Sequence, residues 1–171
     1  QASPQSNWEA IESSSFFHFD YTKYPELESA TMIKNLWRDQ TKLSYKNVVF
    51  ESEGIATDSN FFRLFDFRLI VGGKKSVLSD NNTILLTESL SKKIFSGENP
   101  LGKTINLQCG VEKEYTVNGI IENPPANSSI SYDFIVADNK NEISFSGANF
   151  VLAKKGFNKD EFVKKTEDIC Q

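Results

Sequence analysis

The segment with the most chemistry in its pattern runs from Gly97 to Thr104. Gly97-Glu98-Asn99-Pro100-Leu101-Gly102-Lys103-Thr104 satisfies G-x-x-x-x-G-K-[ST] at every specified position, and in the right setting such a loop cradles nucleotide phosphates. Phe134-Ile135-Val136-Ala137-Asp138 adds an apolar run ending in a carboxylate, the arrangement that holds Mg2+ in nucleotide hydrolases. A phosphate loop must follow a strand and open a helix, because the free N–H groups of the helix N-terminus hold the phosphates. Here the order is reversed. The sequence predicts a helix before Gly97 and a strand after Thr104, where Ile105 and Leu107 alternate with polar neighbours. Pro100 also removes a backbone donor from the middle of the loop. Nucleotide binding is therefore rejected. Gly97 is read as a helix stop and Pro100-Leu101-Gly102 as a turn into a hairpin.

The remaining inventory is thin: one histidine and two cysteines. His18 sits in Phe16-Phe17-His18-Phe19-Asp20 with no nucleophile elbow anywhere, so a Ser-His-Asp or Cys-His hydrolase is not supported. Cys109 and Cys170 lie far apart, and no C-x-x-C or H-x-x-x-H spacing exists, which excludes a structural zinc site. The two cysteines are compatible with one disulfide in an oxidising compartment or with two free thiols. No catalytic, cofactor-binding or metal-binding residue is assigned, and no cofactor is expected.

Charge excludes a further class. Lys and Arg number 19 against 23 Asp and Glu, a net charge of −4. The pairs Lys74–Lys75, Lys92–Lys93, Lys154–Lys155 and Lys164–Lys165 are scattered among acidic neighbours, so no basic face for nucleic acid is present. A chain of 171 residues buries roughly 70% of its unfolded surface and needs neither disulfide nor metal to fold. Hydrophobic residues at 39% and charged residues at 25% are those of a globular protein. Neither a signal peptide nor a transmembrane helix is legible, since the apolar runs are as short as Thr83-Ile84-Leu85-Leu86. The chain reads as a soluble protein or as a soluble piece of a longer one.

The elements that must position these residues follow from pattern. Gln1 to Ser15 is polar and Ser-rich, and reads as loosely held. Phe16, Phe19, Tyr24 and Leu27 predict a short helix ending near Pro25. Thr31–Trp37 and Leu43–Thr57 read as extended, with a bend at Tyr45-Lys46-Asn47. Asp58 caps a short helix to Phe65, with Phe61, Phe62 and Phe65 on one side. Phe67–Val71 is a strand that Gly72-Gly73 breaks. Thr83–Thr87 is a strand leading into a helix over Glu88–Ser96, whose Glu88, Lys92 and Lys93 are ordered to suit the helix dipole.

Thr104–Gln108 and Tyr115–Glu122 form a hairpin through Cys109–Lys113. Ser131–Val136 is a strand with Tyr132, Phe134 and Val136 on one face. Asn149–Lys155 is the last strand. Asn158 with Glu161 three residues on opens a helix to about Ile169. Helix-strand material at both ends around a β-rich middle argues α+β, in two lobes with the β-rich one inserted.

Several segments, in this order, resemble one family. They are Asn60-Phe61-Phe62-Arg63-Leu64-Phe65-Asp66-Phe67, Thr83-Ile84-Leu85-Leu86-Thr87-Glu88-Ser89-Leu90 and Asn99-Pro100-Leu101-Gly102-Lys103-Thr104. Tyr115-Thr116-Val117-Asn118-Gly119-Ile120-Ile121 and Pro124-Pro125-Ala126-Asn127-Ser128 complete the set. Together they are similar to the MacB-like periplasmic core domain of ABC-transporter permeases of the FtsX-like kind common in Bacteroidetes. Pro25–Ala30, Phe150–Lys154 and the helix after Asn158 agree more loosely.

The resemblance implies a porter-like β-α-β lobe from residues 1–57 and 139–171, whose first strand is not evident before Trp8, and an inserted β-rich lobe over 58–138. It implies a non-catalytic domain on the periplasmic side of the inner membrane, coupling cytoplasmic ATP hydrolysis to export or release of a peptide, lipoprotein or drug through dimeric conformational change. The implied partners are the permease's own transmembrane helices, a second permease copy and a cytoplasmic ATP-binding subunit, with a periplasmic adaptor or outer-membrane channel as a further option. The alternative is a stand-alone periplasmic binding or adaptor module of similar fold. A hydrophobic span of about 20 residues on each side would discriminate the two. Phe61, Phe62, Phe65 and Phe67 are read as core rather than a partner surface. Lys92, Lys93 and Lys103 are read as solvated rather than as lipid or acidic-partner contacts.

Overall fold

Thr83-Ile84-Leu85-Leu86-Thr87 forms a strand buried at every position, and its neighbours explain why. A strand covered on both faces needs apolar residues without alternation, because successive side chains point to opposite sides. Ile84 and Leu86 enter one apolar cluster with Leu90, Ile94 and Phe95. Leu85 enters another with Phe61, Leu64 and Phe65. Phe134 and Val136 fall in the first cluster and Ile135 in the second, so the run that resembled a Mg2+-binding strand is a central strand of a two-faced sheet.

Residues 8–15, 20–73, 77–140, 142–143 and 145–166 are described by a computed structural model of the chain. In chain order the elements are β1 (Trp8–Ser15), β2 (Leu27–Leu36), β3 (Lys42–Tyr45), β4 (Val48–Glu51) and β5 (Gly54–Thr57). Then come α1 (Phe61–Leu64), β6 (Leu69–Val71), β7 (Thr83–Thr87), α2 (Glu88–Phe95), β8 (Thr104–Cys109) and β9 (Val111–Ile121). The last are β10 (Phe134–Ala137), β11 (Gly147–Ala153) and α3 (Lys159–Thr166). Among the described residues the strands form one mixed sheet in the order β1-β11-β2-β5-β10-β7-β9-β8-β3-β4, with β6 pairing β9 beside this path.

Two parallel pairs lie in this otherwise antiparallel sheet: β5 with β10, and β7 with β9. Parallel neighbours need a crossover, and α2 supplies it between β7 and β9. The Thr87 hydroxyl accepts from Leu90 N–H at 3.3 Å to cap α2. Its end is turned by Ser96 in the left-handed region at φ 52°, one residue before the predicted stop at Gly97. Lys46 and Asn47, at φ 47° and 64°, form the two-residue turn between β3 and β4 that twist favours. α3 closes the β11 side of the sheet: Phe162 packs on Tyr24, Leu27, Ala30, Val151 and Ala153. Asn158 Oδ1 accepts from the N–H groups of Asp160 and Glu161 at its start.

Several expectations are corrected. Gln1–Ser15 is not loose throughout, because Trp8–Ser15 is β1, held antiparallel to β11 with Trp8 opposite Leu152. The region before Trp8, where the first strand was not evident, lies outside the described residues. No helix spans the described part of 16–27; a single 3-10 turn at Tyr21–Lys23, capped by Asp20, leads directly into β2. The rest of that predicted helix, like Ile169, lies outside the described residues. The β8–β9 connection is shorter than Cys109–Lys113, since Cys109 pairs with Val111 and Gly110 alone turns the chain at φ 76°. Tyr132 does not share a face with Phe134 and Val136: it precedes β10 and packs with the Phe61 cluster. The α+β class stands. Within it, β3 and β4 extend the sheet beyond β8, on the side of the middle of the chain.

Candidate functional site

The most unusual group among the described residues is a buried lysine. Lys34 lies in β2, and its ammonium donates to Asp138 Oδ2 at 2.7 Å and to the Ile143 carbonyl at 2.6 Å. The side chains are 1% and 2% exposed. Asp138 follows the last residue of β10, and its other oxygen accepts from the N–H groups of Glu142 at 2.7 Å and Ile143 at 3.2 Å. Buried charges persist only when paired and fully hydrogen-bonded, and this pair is. The carboxylate that resembled a Mg2+ ligand is thus committed to a lysine and to its own following loop.

That loop closes one side of a cavity of about 310 Å3. Leu107, Val111 and Tyr115 of the β8–β9 hairpin face Ile143 and Phe145 across it, with Cys109 in the wall and Asp138 at its edge. Lys113 and Glu142 join the two sides by an ion pair of 2.9 Å, which holds the Glu142 carboxyl below its ordinary value. Cys109 is a free, half-buried thiol. Cys170 and His18 lie outside the described residues.

Burial pushes the Cys109 thiol from an ordinary 9.0 up to about 11. Burial first, and then the Asp138 charge, push the Tyr115 phenol from 10.0 up to about 12. Between those values the folded chain keeps protons that the unfolded chain releases, so stability falls as pH rises from about 9 to 12. Thermal unfolding is expected to show a midpoint dropping steadily over that window. Cys109→Ala is expected to flatten the first part of the drop, and an unchanged slope in that variant would refute the assignment.

The phosphate-loop pattern adopts the reversed order. α2 precedes it and β8 follows, while Gly102 N–H donates to Val117 O and Lys103 N–H to Pro100 O. Lys103 is paired with Glu98 and lies over the Phe95 ring at 5.0 Å. Lys92 pairs with Glu88 at 2.6 Å, and Lys93 lies over the Phe50 ring at 5.9 Å. Phe61 is fully buried, stacked on Phe67 at 5.5 Å, and Phe65 and Phe62 pack at its sides. The Phe cluster is core. Among the described residues no group of three or more His, Cys, Asp or Glu could hold a metal, and no helix is long and apolar enough to cross a membrane.

One mixed sheet flanked by short helices defines an α+β domain. The family model of the MacB-like periplasmic core domain matches residues 3–169. The chain belongs to that family, and is a periplasmic domain of the kind carried by MacB-like ABC-transporter permeases.

Solved structures agree in fold. A domain assigned to a permease protein from Porphyromonas gingivalis is 24% identical, with a TM-score of 0.68 over 88% of this chain and 74% of that one. The periplasmic region of MacB from Actinobacillus actinomycetemcomitans is 22% identical, with a TM-score of 0.65 over 86% and 68%. The extracellular domain of the noncanonic ABC-type transporter YknZ from Gram-positive bacteria is 12% identical, with a TM-score of 0.56 over 83% and 71%. A comparison with curated proteins finds no match for the chain.

Proposed function

We propose that this domain is the non-catalytic periplasmic part of an FtsX-like permease, coupling ATP hydrolysis in the cytoplasm to export or release of a peptide, lipoprotein or drug. The observation that carries the reading is the pairing of β1 with β11. Trp8 stands opposite Leu152, so the chain enters and leaves the sheet side by side, as a domain hung from two neighbouring membrane helices requires. Displacement of those helices then moves one end of a continuous sheet. The opposite end, at β3 and β4, follows through the hydrogen-bonded strands between them. The working unit is a dimer of permeases served by a cytoplasmic ATP-binding subunit, with an adaptor or outer-membrane channel as a further partner.

The division into a porter-like lobe (1–57 and 139–171) and an inserted lobe (58–138) belongs to the same proposal. One amendment follows from strand order: the β3–β4 hairpin moves with the inserted lobe, through β8. The commitment of Lys34, Asp138, Lys103 and Glu98 to internal pairs supports a mechanical rather than a chemical role.

Fractionation of native cells with an antibody against the domain tests the reading. The expected band is far larger than 19.3 kDa, sits in membranes and resists carbonate extraction. A soluble band near that mass would favour the stand-alone periplasmic module instead.

A further inference from the structure

Among the described residues β4 ends the strand order of the sheet, and no strand pairs with its outer edge. Tyr45 pairs with Val48 across the two-residue turn, and such a closing pair exchanges both of its hydrogen bonds. Alternation then turns the N–H and C=O groups of Val49 and Glu51 away from β3, toward the open side. Native edges are commonly blunted by charge, proline or a bulge. This one instead presents Val48 at 53% and Val49 at 59% exposure.

Beside the edge lies a pocket of about 210 Å3 between β4 and α2, lined by Tyr45, Val48, Phe50, Ile94 and Phe95 with Lys46 at its rim. The charges on that face are uneven. Lys46 lies over the Tyr45 ring at 5.3 Å and Lys93 over the Phe50 ring at 5.9 Å. Glu98, the carboxylate in the pocket lining, is held by Lys103. Glu51 alternates to the opposite face from Val48 and Phe50. Three lysines against one glutamate leave the pocket side electropositive.

We propose that β4 binds an extended segment of a partner protein by strand addition, and that the segment carries apolar and acidic residues two positions apart. Its backbone pairs with Val49 and Glu51. Its side chains on the α2 side fall over the pocket, where an apolar one packs on Val48, Phe50 and Ile94 and an acidic one reaches Lys46 or Lys93. Backbone bonds supply affinity in this mode, and alternate side chains supply specificity. A second copy of this chain fits less well. Antiparallel pairing of two β4 edges would set Val48 and Phe50 of the copy on the pocket side and bring no carboxylate to Lys46 or Lys93.

The test uses the 171-residue chain and two fluorescein-labelled synthetic peptides of about eight residues, followed by anisotropy. Every second residue is Thr, and the residues between alternate Val with Glu in one peptide and Val with Lys in the other, so that the apolar and charged side chains share one face. The Glu/Val peptide is expected to bind at least about tenfold more tightly than the Lys/Val peptide, the difference shrinking as salt rises. Val49→Pro removes an outward donor at an edge position where proline is tolerated, and is expected to abolish binding. The double variant Lys46→Glu and Lys93→Glu, which leaves the backbone untouched, is expected to invert the preference. Binding of neither peptide, equal binding of both, or an unchanged preference in the double variant would overturn the proposal. So would a concentration-dependent dimer, seen by sedimentation, that Val49→Pro dissolves.

Discussion

Replacing Lys34 with methionine is expected to cost the fold about 3–5 kcal/mol, the range seen when one partner of a buried ion pair is removed. Methionine matches the length of the lysine stem and leaves the packing nearly filled, so the loss isolates the charge. What remains is the Asp138 carboxylate, 2% exposed and without the ammonium that stood 2.7 Å away. Two backbone N–H groups still donate to it, which moderates the loss without cancelling it. Against a total stability of about 5–15 kcal/mol for a domain, the variant is expected to be marginal at 37 °C.

Asp138→Asn in the Lys34→Met background removes the stranded charge while keeping an oxygen for Glu142 and Ile143. The double variant is therefore expected to be more stable than Lys34→Met alone, the signature of coupled sites. Denaturant unfolding of the natural chain, the Lys34→Met and Asp138→Asn single variants and the double variant measures this. A Lys34→Met loss under about 1 kcal/mol, the ordinary size of a point substitution, would refute the argument. The variant should also loosen the loop beyond β10, because Lys34 holds the Ile143 carbonyl as well. Hydrogen exchange at Glu142 and Ile143 is expected to accelerate before that in β7.

Where local chemistry decides, the sequence was readable. Glu88 announces the start of α2 and Lys92 and Lys93 its end, and the structure has the acid in the first turn and the lysines in the last. Asp58 is an exception: its carboxylate accepts from Asn60 N–H at 2.7 Å and from the Thr31 hydroxyl at 3.0 Å, but the N-cap of α1 is Asn60, so Asp58 braces the approach to the helix and does not cap it. The rejection of the phosphate loop rested first on element order, and that order is observed.

Where a distant segment decides, pattern reading failed. Trp8–Ser15 is polar and rich in serine, and it is a strand because β11 pairs with it from more than a hundred residues away. Tyr24 and Leu27 suggest a helical face, but their partners are Val151, Ala153 and Phe162 from the end of the chain. Lys34 lies in a segment legible only as extended, and its counter-ion follows β10. Neither the ion pair nor the cavity beside it has a local signature. Both arise only when the sheet order sets β2, β10 and the β8–β9 hairpin around one loop.

Gly54→Ala is the second substitution expected to act strongly, because it strikes the seam that joins the two ends of the sheet. β5 carries β2 on one edge and β10 on the other, and Gly54 stands directly opposite Phe134 in the parallel register. A Cβ at Gly54 would strike the Phe134 ring. That ring is fully buried among Leu36, Ala56, Ile84 and Leu86, so it has nowhere to turn without displacing close-packed neighbours. Overpacking of this kind costs about 1–3 kcal/mol and occasionally more, and a rigid aromatic against a backbone-anchored Cβ belongs at the upper end.

The complementary change supplies the control. Phe134→Leu alone leaves a cavity and destabilises, yet it removes the ring atoms that the new methyl group would strike. Gly54→Ala combined with Phe134→Leu is therefore expected to be less destabilised than the two single losses added together. Denaturant midpoints of the set decide it. Simple additivity would mean that the ring and the glycine do not compete for the same space. The absence of a side chain at Gly54 would then need another cause.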